Sequence, residues 1–522
     1  MIRHLPLLAL PLLLLASAPA DAARDAKEPP PAEAEAGPTP EERQAAFAAY
    51  EANFQSGQKA RAADALVGLL ADPVQAAFHA EAYAKLGNLL VDLDLPYGAL
   101  LAYARALYAD PDCLVTEGVI EKAFTLADQV GDTAVLEPVF GKNVGGRVDR
   151  PTRARMGYLA ARENYRQGNL TLALSLLKLV IPESPVYPDA LMLEGVILNR
   201  QDRPQDALKP LLAAGQAAQK AQRDSRFLNT IWMNLGRSYY AADNFPRAIE
   251  QYARVTRDSE FWLQAQFERA WAHFRLEDMN GAIALLHNHV SPFFESWYFP
   301  EGELLRVYAL FLLCKFPEAS EAIDTFKETY APAWQTMRDA MAGMSSDKAY
   351  EFVKEYLATG NAGPLPEMVL RSYRNEARFA AAVNAASHAD DEMERLRNVA
   401  ANPFAAQVSR WVAGRRQDIV QVEGERILST LQRRTEELGG MLTSAEMSKL
   451  DMLQMETRLY EMASQTGKVP DADRQVRRGE RVRKGFVWWP WEGEYWQDEL
   501  GYYRVNALAE CPAGLRAAAT GE

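Results

Sequence analysis

The sequence predicts an all-α solenoid of stacked helix pairs, followed by a C-terminal helical, coiled-coil hairpin and a short aromatic-rich tail. Two observations predict the solenoid. Small and large apolar residues recur at a spacing near thirty-four through the first two thirds of the chain, and that region is almost free of strand-like alternation. A third predicts the hairpin: a charged stretch near the C-terminus keeps apolar residues at three-four spacing.

The chain opens on a short basic start, Met1 to His4, then an apolar run from Leu5 to Leu15 and small residues with Ala18-Pro19-Ala20 and Ala20-Asp21-Ala22 as cleavage sites. Residues 1–22 therefore read as a secretory signal peptide, and the mature protein as exported, periplasmic and soluble. An uncleaved anchor is disfavoured, because the run contains Pro6 and Pro11 and falls short of the roughly twenty apolar residues a span needs. Residues 23–43, rich in Pro, Ala and Glu, have no core former and read as a disordered leader. The formal charge of −13 is unchanged by signal removal, since Arg3 and Asp21 leave together. An acidic mature chain argues against nucleic acid as a partner. The three cysteines, Cys113, Cys314 and Cys511, are widely spaced. In an oxidising compartment one pair could bridge, or all could be buried or unpaired thiols.

Residues 44–330 carry the repeats, about eight helix pairs. One unit from Asn229 presents Trp232, Leu235-Gly236, Tyr239, Ala248, Tyr252 and Val255. Another from Ala80 presents Tyr83, Leu86-Gly87, Leu90, Ala99, Tyr103, Ala106 and Pro111. With the second-helix alanine as a ruler, the series is Ala65, Ala99, Ala134, Ala173, Ala207, Ala248, Ala282 and Ala319. Two short helices approach closely only where side chains are small, and large residues on either side fill the space to the next pair. Asp243-Asn244 and Gly168-Asn169 fall in the turns within pairs. These units resemble the tetratricopeptide-repeat (TPR) family position for position, including the large residue, the Leu-Gly pair and the later alanine and aromatic.

The resemblance implies that ligand contacts lie at set positions of the first helix of each pair. Here those positions hold Arg155, Tyr158, Arg162, Tyr165, Asn199, Arg237, Tyr240, Trp271 and Phe274. Arginines with aromatic rings suit an extended acidic or C-terminal peptide; the competing reading is that they pack against neighbouring helices. The lysine and asparagine set of chaperone-binding TPR clamps is not reproduced.

Residues 331–404 read as a helical extension, interrupted at Gly360 to Pro364 and at Asn402-Pro403. Residues 405–467 read as long helices with coiled-coil character, their seam formed by Leu428, Leu431, Thr435, Leu438, Leu442 and Ala445. Gly439-Gly440, followed by the capping-box pattern Thr443 to Glu446, suggests that one helix stops there and another starts. A hairpin packed against the array is expected rather than an extended dimerising coil. A basic linker, 468–485, precedes an aromatic-rich segment, 486–522, with Trp488, Trp489, Trp491, Tyr495, Trp496, Tyr502 and Tyr503. That segment reads first as a cap over the last helices. It could instead lie at a membrane surface or anchor a partner. Trp489 to Tyr503 also resembles the C-terminus of TPR proteins in myxobacterial gliding-motility envelope machinery, which implies a periplasmic scaffold.

No catalytic or nucleotide-binding motif is present. His287-Asn288-His289 is the one close histidine pair, and a spacing of two points the rings apart on a helix, so the pair reads as solvated residues at a helix end. No metal, no cofactor and no enzymatic activity are expected. The sequence therefore predicts an envelope scaffold that binds protein partners and supports a multiprotein complex, of which gliding motility is one candidate. The alternative is a peptide-binding module attached to a C-terminal domain acting on cell-wall material.

Overall fold

The computed structural model describes residues 39–110, 112, 115–116, 118–141, 148–294, 297–374, 376–399, 401–466 and 493–507. The signal segment, nearly all of the leader, the basic linker, Cys113, Cys511, Trp488, Trp489 and Trp491 lie outside these residues. The described residues are all-α, without a strand. They form two compact units, one of residues to 201 with 376–424, the other of 202–375 with the chain from 425 onward.

The first unit holds α1 (Pro40–Gln55), α2 (Lys59–Ala71), α3 (His79–Asp92), α4 (Pro96–Ala109), α5 (Val119–Val130), α6 (Glu137–Gly141), α7 (Arg150–Arg166), α8 (Leu170–Leu177) and α9 (Tyr187–Arg200). The second opens on α10 (Pro204–Lys220) and continues through α11 (Ser225–Ala241), α12 (Phe245–Tyr252), α13 (Trp262–Arg275), α14 (Met279–Leu286), α15 (Pro300–Leu312) and α16 (Phe316–Met341). Even-numbered helices to α16 are the second helices of the repeat. Local chemistry sets the helix starts. Asp149 accepts from Thr152 N, Asp224 from Phe227 N and Asp278 from Gly281 N, each filling an orphan donor.

The repeat is visible in the backbone. A left-handed residue stands two positions before each second helix or its leading 3-10 turn: Gly57, Asp94, Gly131, Gly168, Asp202, Asp243, Glu277 and Cys314. Five positions after seven of these comes a fully buried alanine: Ala62, Ala99, Ala173, Ala207, Ala248, Ala282 and Ala319. The ruler is thus corrected twice. Ala62, not Ala65, is the buried residue of the first pair; both stand on one face of an alanine-rich helix, and Ala65 is only half-buried. In the third pair a 3-10 segment, Thr133–Leu136, replaces the helix start, and Leu136 takes the buried place expected of Ala134.

Glycine marks the closest approach within a pair. A Cβ on Gly87 would lie 2.3 Å from Tyr103 Cε1, and one on Gly236 would lie 2.4 Å from Tyr252 Cε1. Each tyrosine ring therefore fills the space that a side chain on the first helix would need.

Beyond the array come α17 (Ser346–Thr359), α18 (Glu367–Arg371), α19 (Ala377–Arg397) and α20 (Pro403–Thr466). α16 itself runs past residue 330 to Met341. The chain does reverse into a helical hairpin, but between α19 and α20. Arg378 pairs with Glu423 at 2.7 Å and Arg416 with Asp390 at 2.6 Å, an antiparallel order.

The expected break at Gly439-Gly440 does not occur, because α20 is one helix of 64 residues. Gly439 instead makes room for a neighbour: its Cβ would stand 2.9 Å from the indole Nε1 of Trp334 on α16. The capping-box residues are otherwise engaged. Thr443 Oγ1 donates to Gly439 O at 3.1 Å, and Glu446 pairs with Lys327 at 2.8 Å. Ile427, Leu431, Thr435, Leu438, Met441 and Ala445 are buried; Leu428 and Leu442 of the expected seam are half-buried. Gly440 faces open space, so Gly440→Ala should stabilise by about 0.5–1 kcal/mol by restricting the unfolded chain. Gly439→Ala should be neutral or destabilising, and denaturant midpoints of the two variants check this contrast.

Candidate peptide-binding surfaces

In the first unit the chain's own hairpin is bolted to the early repeats by buried polar groups. Glu392 of α19 accepts from Tyr97 N and Gly98 N at the start of α4, each at 2.6 Å. It thereby supplies, from almost three hundred residues away, the anion that a helix N-terminus favours. Burial pushes its carboxyl up to about 7, against the lowering effect of those two donors. Asp132 accepts from Arg415 Nε and Nη2, both at 2.8 Å, and from Tyr97 Oη at 2.6 Å. Asp64 accepts from Phe404 N at 2.9 Å, which caps the start of α20. Around these locks, Phe404, Val408 and Val412 join the core of α2 to α5, and Arg105 lies 4.3 Å over the ring of Trp411.

The first-helix surface carries the candidates drawn from the TPR resemblance. On α7, Arg155 pairs with Asp128 of α5 at 2.7 Å and lies 4.0 Å over Phe124. Arg162 reaches the buried Glu137 at 3.1 Å, and Arg166 pairs with the same carboxylate. Tyr158 packs between two core clusters, and Tyr165 is buried beneath Arg200. Asn199 is half-buried on α9. On α11, Arg237 is forked onto Glu268 of α13, with contacts of 2.6, 2.9 and 3.1 Å, in a nearly dry setting. Tyr240 packs edge-on against Phe245, and Trp271 against Phe274. These arginines are thus tied to carboxylates one repeat away. In the second unit Trp271 and Phe274 remain partly exposed on α13, and in the first Asn199 does on α9.

The described residues of the tail do not lie over the last helices, and the rest of the segment read as a cap lies outside the described residues. Residues 493–507 lie along α13 and α14, where three side chains hold their backbone. Arg257 donates to Gln497 O at 3.0 Å, to Asp498 O at 3.2 Å and to Leu500 O. Asn288 Oδ1 accepts from Gly501 N at 2.6 Å. Asn280 pairs both ways with Ala507, at 2.9 and 3.1 Å. Leu500 is buried against Trp262 and Leu263. Tyr495 stacks on His287 with ring centroids 5.1 Å apart, and Tyr503 meets the same ring edge-on at 4.7 Å. Trp496 and Tyr502 are exposed, although Arg257 stands 5.4 Å over the Tyr502 ring.

The histidine pair is accordingly not solvated. His289 is buried, with Nε2 3.1 Å from Leu263 O. Burial pushes both rings down to about 4 from an ordinary value of 6.5, and Arg306 adds to the effect on His287. A depressed histidine contributes stability that is fully present above its unfolded pKa and is lost as the folded state is forced to take up a proton. The stability of the second unit should therefore lose this histidine contribution as pH drops from 6.5 toward 4, while Glu392, raised to about 7, works in the opposite direction in the first unit. Melting temperatures at about pH 7.5 and about pH 5 measure this, and His287→Asn should reduce the difference. Among the described residues, no group of three His, Cys, Asp or Glu side chains could hold a metal ion.

Cys314 is disulfide-bonded, so at least one pair of the three cysteines is bridged. Its partner lies outside the described residues.

Arg257, Asn280, Asn288, Glu392, Asp132 and Arg415 were not singled out by motif or spacing. A carboxylate one repeat from an arginine is a readable signal, but an asparagine that holds a distant backbone leaves none.

No family model matches the chain, and no curated protein matches it. Among solved structures, it is similar to a Rap protein complexed with competence and sporulation factor, at 12% identity over 69% of this chain and 99% of that one, TM-score 0.24. It is similar to the APC/C hetero-tetramer Cut9-Hcn1 at 12% identity over 77% and 89%, TM-score 0.25. A third neighbour is a circular tandem repeat protein with novel repeat topology, 13% identical over 82% and 91%, TM-score 0.11. Scores this low carry no functional argument. The chain's own left-handed turns, buried alanines and glycine–tyrosine contacts make it an all-α array of repeated helix pairs.

Proposed function

We propose that this chain is an exported scaffold of a bacterial cell envelope that binds extended segments of other proteins on its first-helix surface. The observation that carries the reading is the run of repeated helix pairs, in the second unit of which Trp271 and Phe274 of α13 stay partly exposed while Arg237 of α11 is already neutralised by Glu268. Such a surface offers apolar anchors, so it suits an extended segment with apolar side chains more than a strongly acidic one. Export is supported by the N-terminal sequence pattern and by the disulfide at Cys314, since such bonds persist in oxidising compartments. No helix among the described residues is long and apolar enough to cross a membrane. The resemblance of Trp489 to Tyr503 to gliding-motility envelope proteins makes a motility complex the first assembly to examine.

The test pairs two measurements. N-terminal sequencing of the protein from envelope fractions should begin near residue 21 or 23; an intact Met1 in cytosolic fractions would contradict export. Affinity capture with the parent and with Trp271→Ala/Phe274→Ala should recover a partner only with the parent. Equal recovery by both would contradict the assigned surface.

A further inference from the structure

The tail of the second unit is held as a ligand is held. Its described residues include no helix or strand, so its placement depends on what grips it. The grip is directed at backbone: Arg257 takes three carbonyls, Asn280 takes both polar atoms of Ala507, and Asn288 takes the N–H of Gly501. Only Leu500 is deeply buried, while Trp496 and Tyr502 are 57% and 65% exposed. Backbone bonds fix an extended chain, and a few side-chain anchors select it. The gripping residues sit on α14, at its end and in the loop before α13, away from the first-helix positions of the repeat.

We propose that Arg257, Asn280 and Asn288 form a second peptide-binding site, and that it exchanges the chain's own residues 493–507 for the same segment of a second copy. The second copy is the occupant best argued, because its segment matches every contact by identity. The 26 residues between the end of α20 and Gly493 can span at most about 90 Å, which allows a tail to serve either its own site or a neighbour's. Exchange of this kind links copies without any new surface, as a scaffold requires.

The probe is a labelled synthetic peptide of residues 493–507, titrated into full-length protein with and without a thiol reductant, since Cys314 is bridged. In the parent the resident tail competes at the high effective concentration of a tethered ligand. Leu500→Asp removes the buried anchor. Gly501→Val is a second way to release the tail, because Gly501 has φ +87° and its Cβ would lie 3.1 Å from Trp262. The peptide should bind either released variant about tenfold or more tightly than the parent, and Asn280→Ala in the same chain should abolish binding. The parent should also form dimers at raised concentration, by light scattering, that excess peptide dissolves. Peptide that binds neither folded variant would overturn the site. Peptide binding with a parent that stays monomeric throughout would overturn the second copy as its occupant.

Discussion

Gly236→Leu is expected to lower stability by about 3 kcal/mol or more, at the upper end of what overpacking costs. The first carbon of any side chain there would already lie 2.4 Å from the Tyr252 ring, which is itself fully buried and has no open space to enter. Gly87→Leu should behave alike in the first unit, against Tyr103. Denaturant midpoints give the magnitude. A double-mutant cycle with Tyr252→Ala isolates the contact, because the shortened residue should recover much of the loss. A Gly236→Leu protein as stable as the parent would remove the basis for the repeat register.

The second large effect is expected at Asp132. Asp132→Ala leaves the Arg415 guanidinium buried without its carboxylate and the Tyr97 hydroxyl without its acceptor. Breaking a buried pair from one side costs roughly 3–5 kcal/mol, much of it the stranded charge. Arg415 is 22% exposed, so the lower end applies. The loss should fall on the first unit and open the contact between its early repeats and the hairpin, read by protease sensitivity of α19. Removing both charges with Asp132→Leu/Arg415→Met should be far milder than Asp132→Ala alone. If the single variant is no worse than the double, the lock is not a charged one.

Much of the fold is legible because close packing of helix pairs writes itself into small residues. Gly87, Gly236 and the alanines at 99, 173, 207, 248, 282 and 319 stand at helix contacts, and their spacing is the repeat. The ruler slipped at Ala65 because Ala62 lies one turn earlier on the same face, and only burial separates the two. It slipped at Ala134 because a 3-10 turn there shifts the helix start. Gly439 was misread for a different reason. A glycine signals either a backbone break or a close approach, and Trp334, more than a hundred residues away, decides between them. The arginines stand on first helices, and their state depends on partners about one repeat away, Arg155 with Asp128 and Arg237 with Glu268. The tail reads as aromatic, and Tyr495 and Tyr503 do pack on His287, but amide and guanidinium chemistry acting on its backbone also holds it, and that leaves no signal in the sequence.

The claim that the first-helix surface binds protein is tested most directly by site-specific photocross-linking in cells. A photoreactive residue replaces Trp271 in one full-length protein and Leu212, an exposed residue of the second helix α10, in another. The account predicts a discrete covalent adduct with a partner protein from position 271 and none of that mass from 212. Adducts of the same mass and yield from both positions, or from 212 alone, would contradict it.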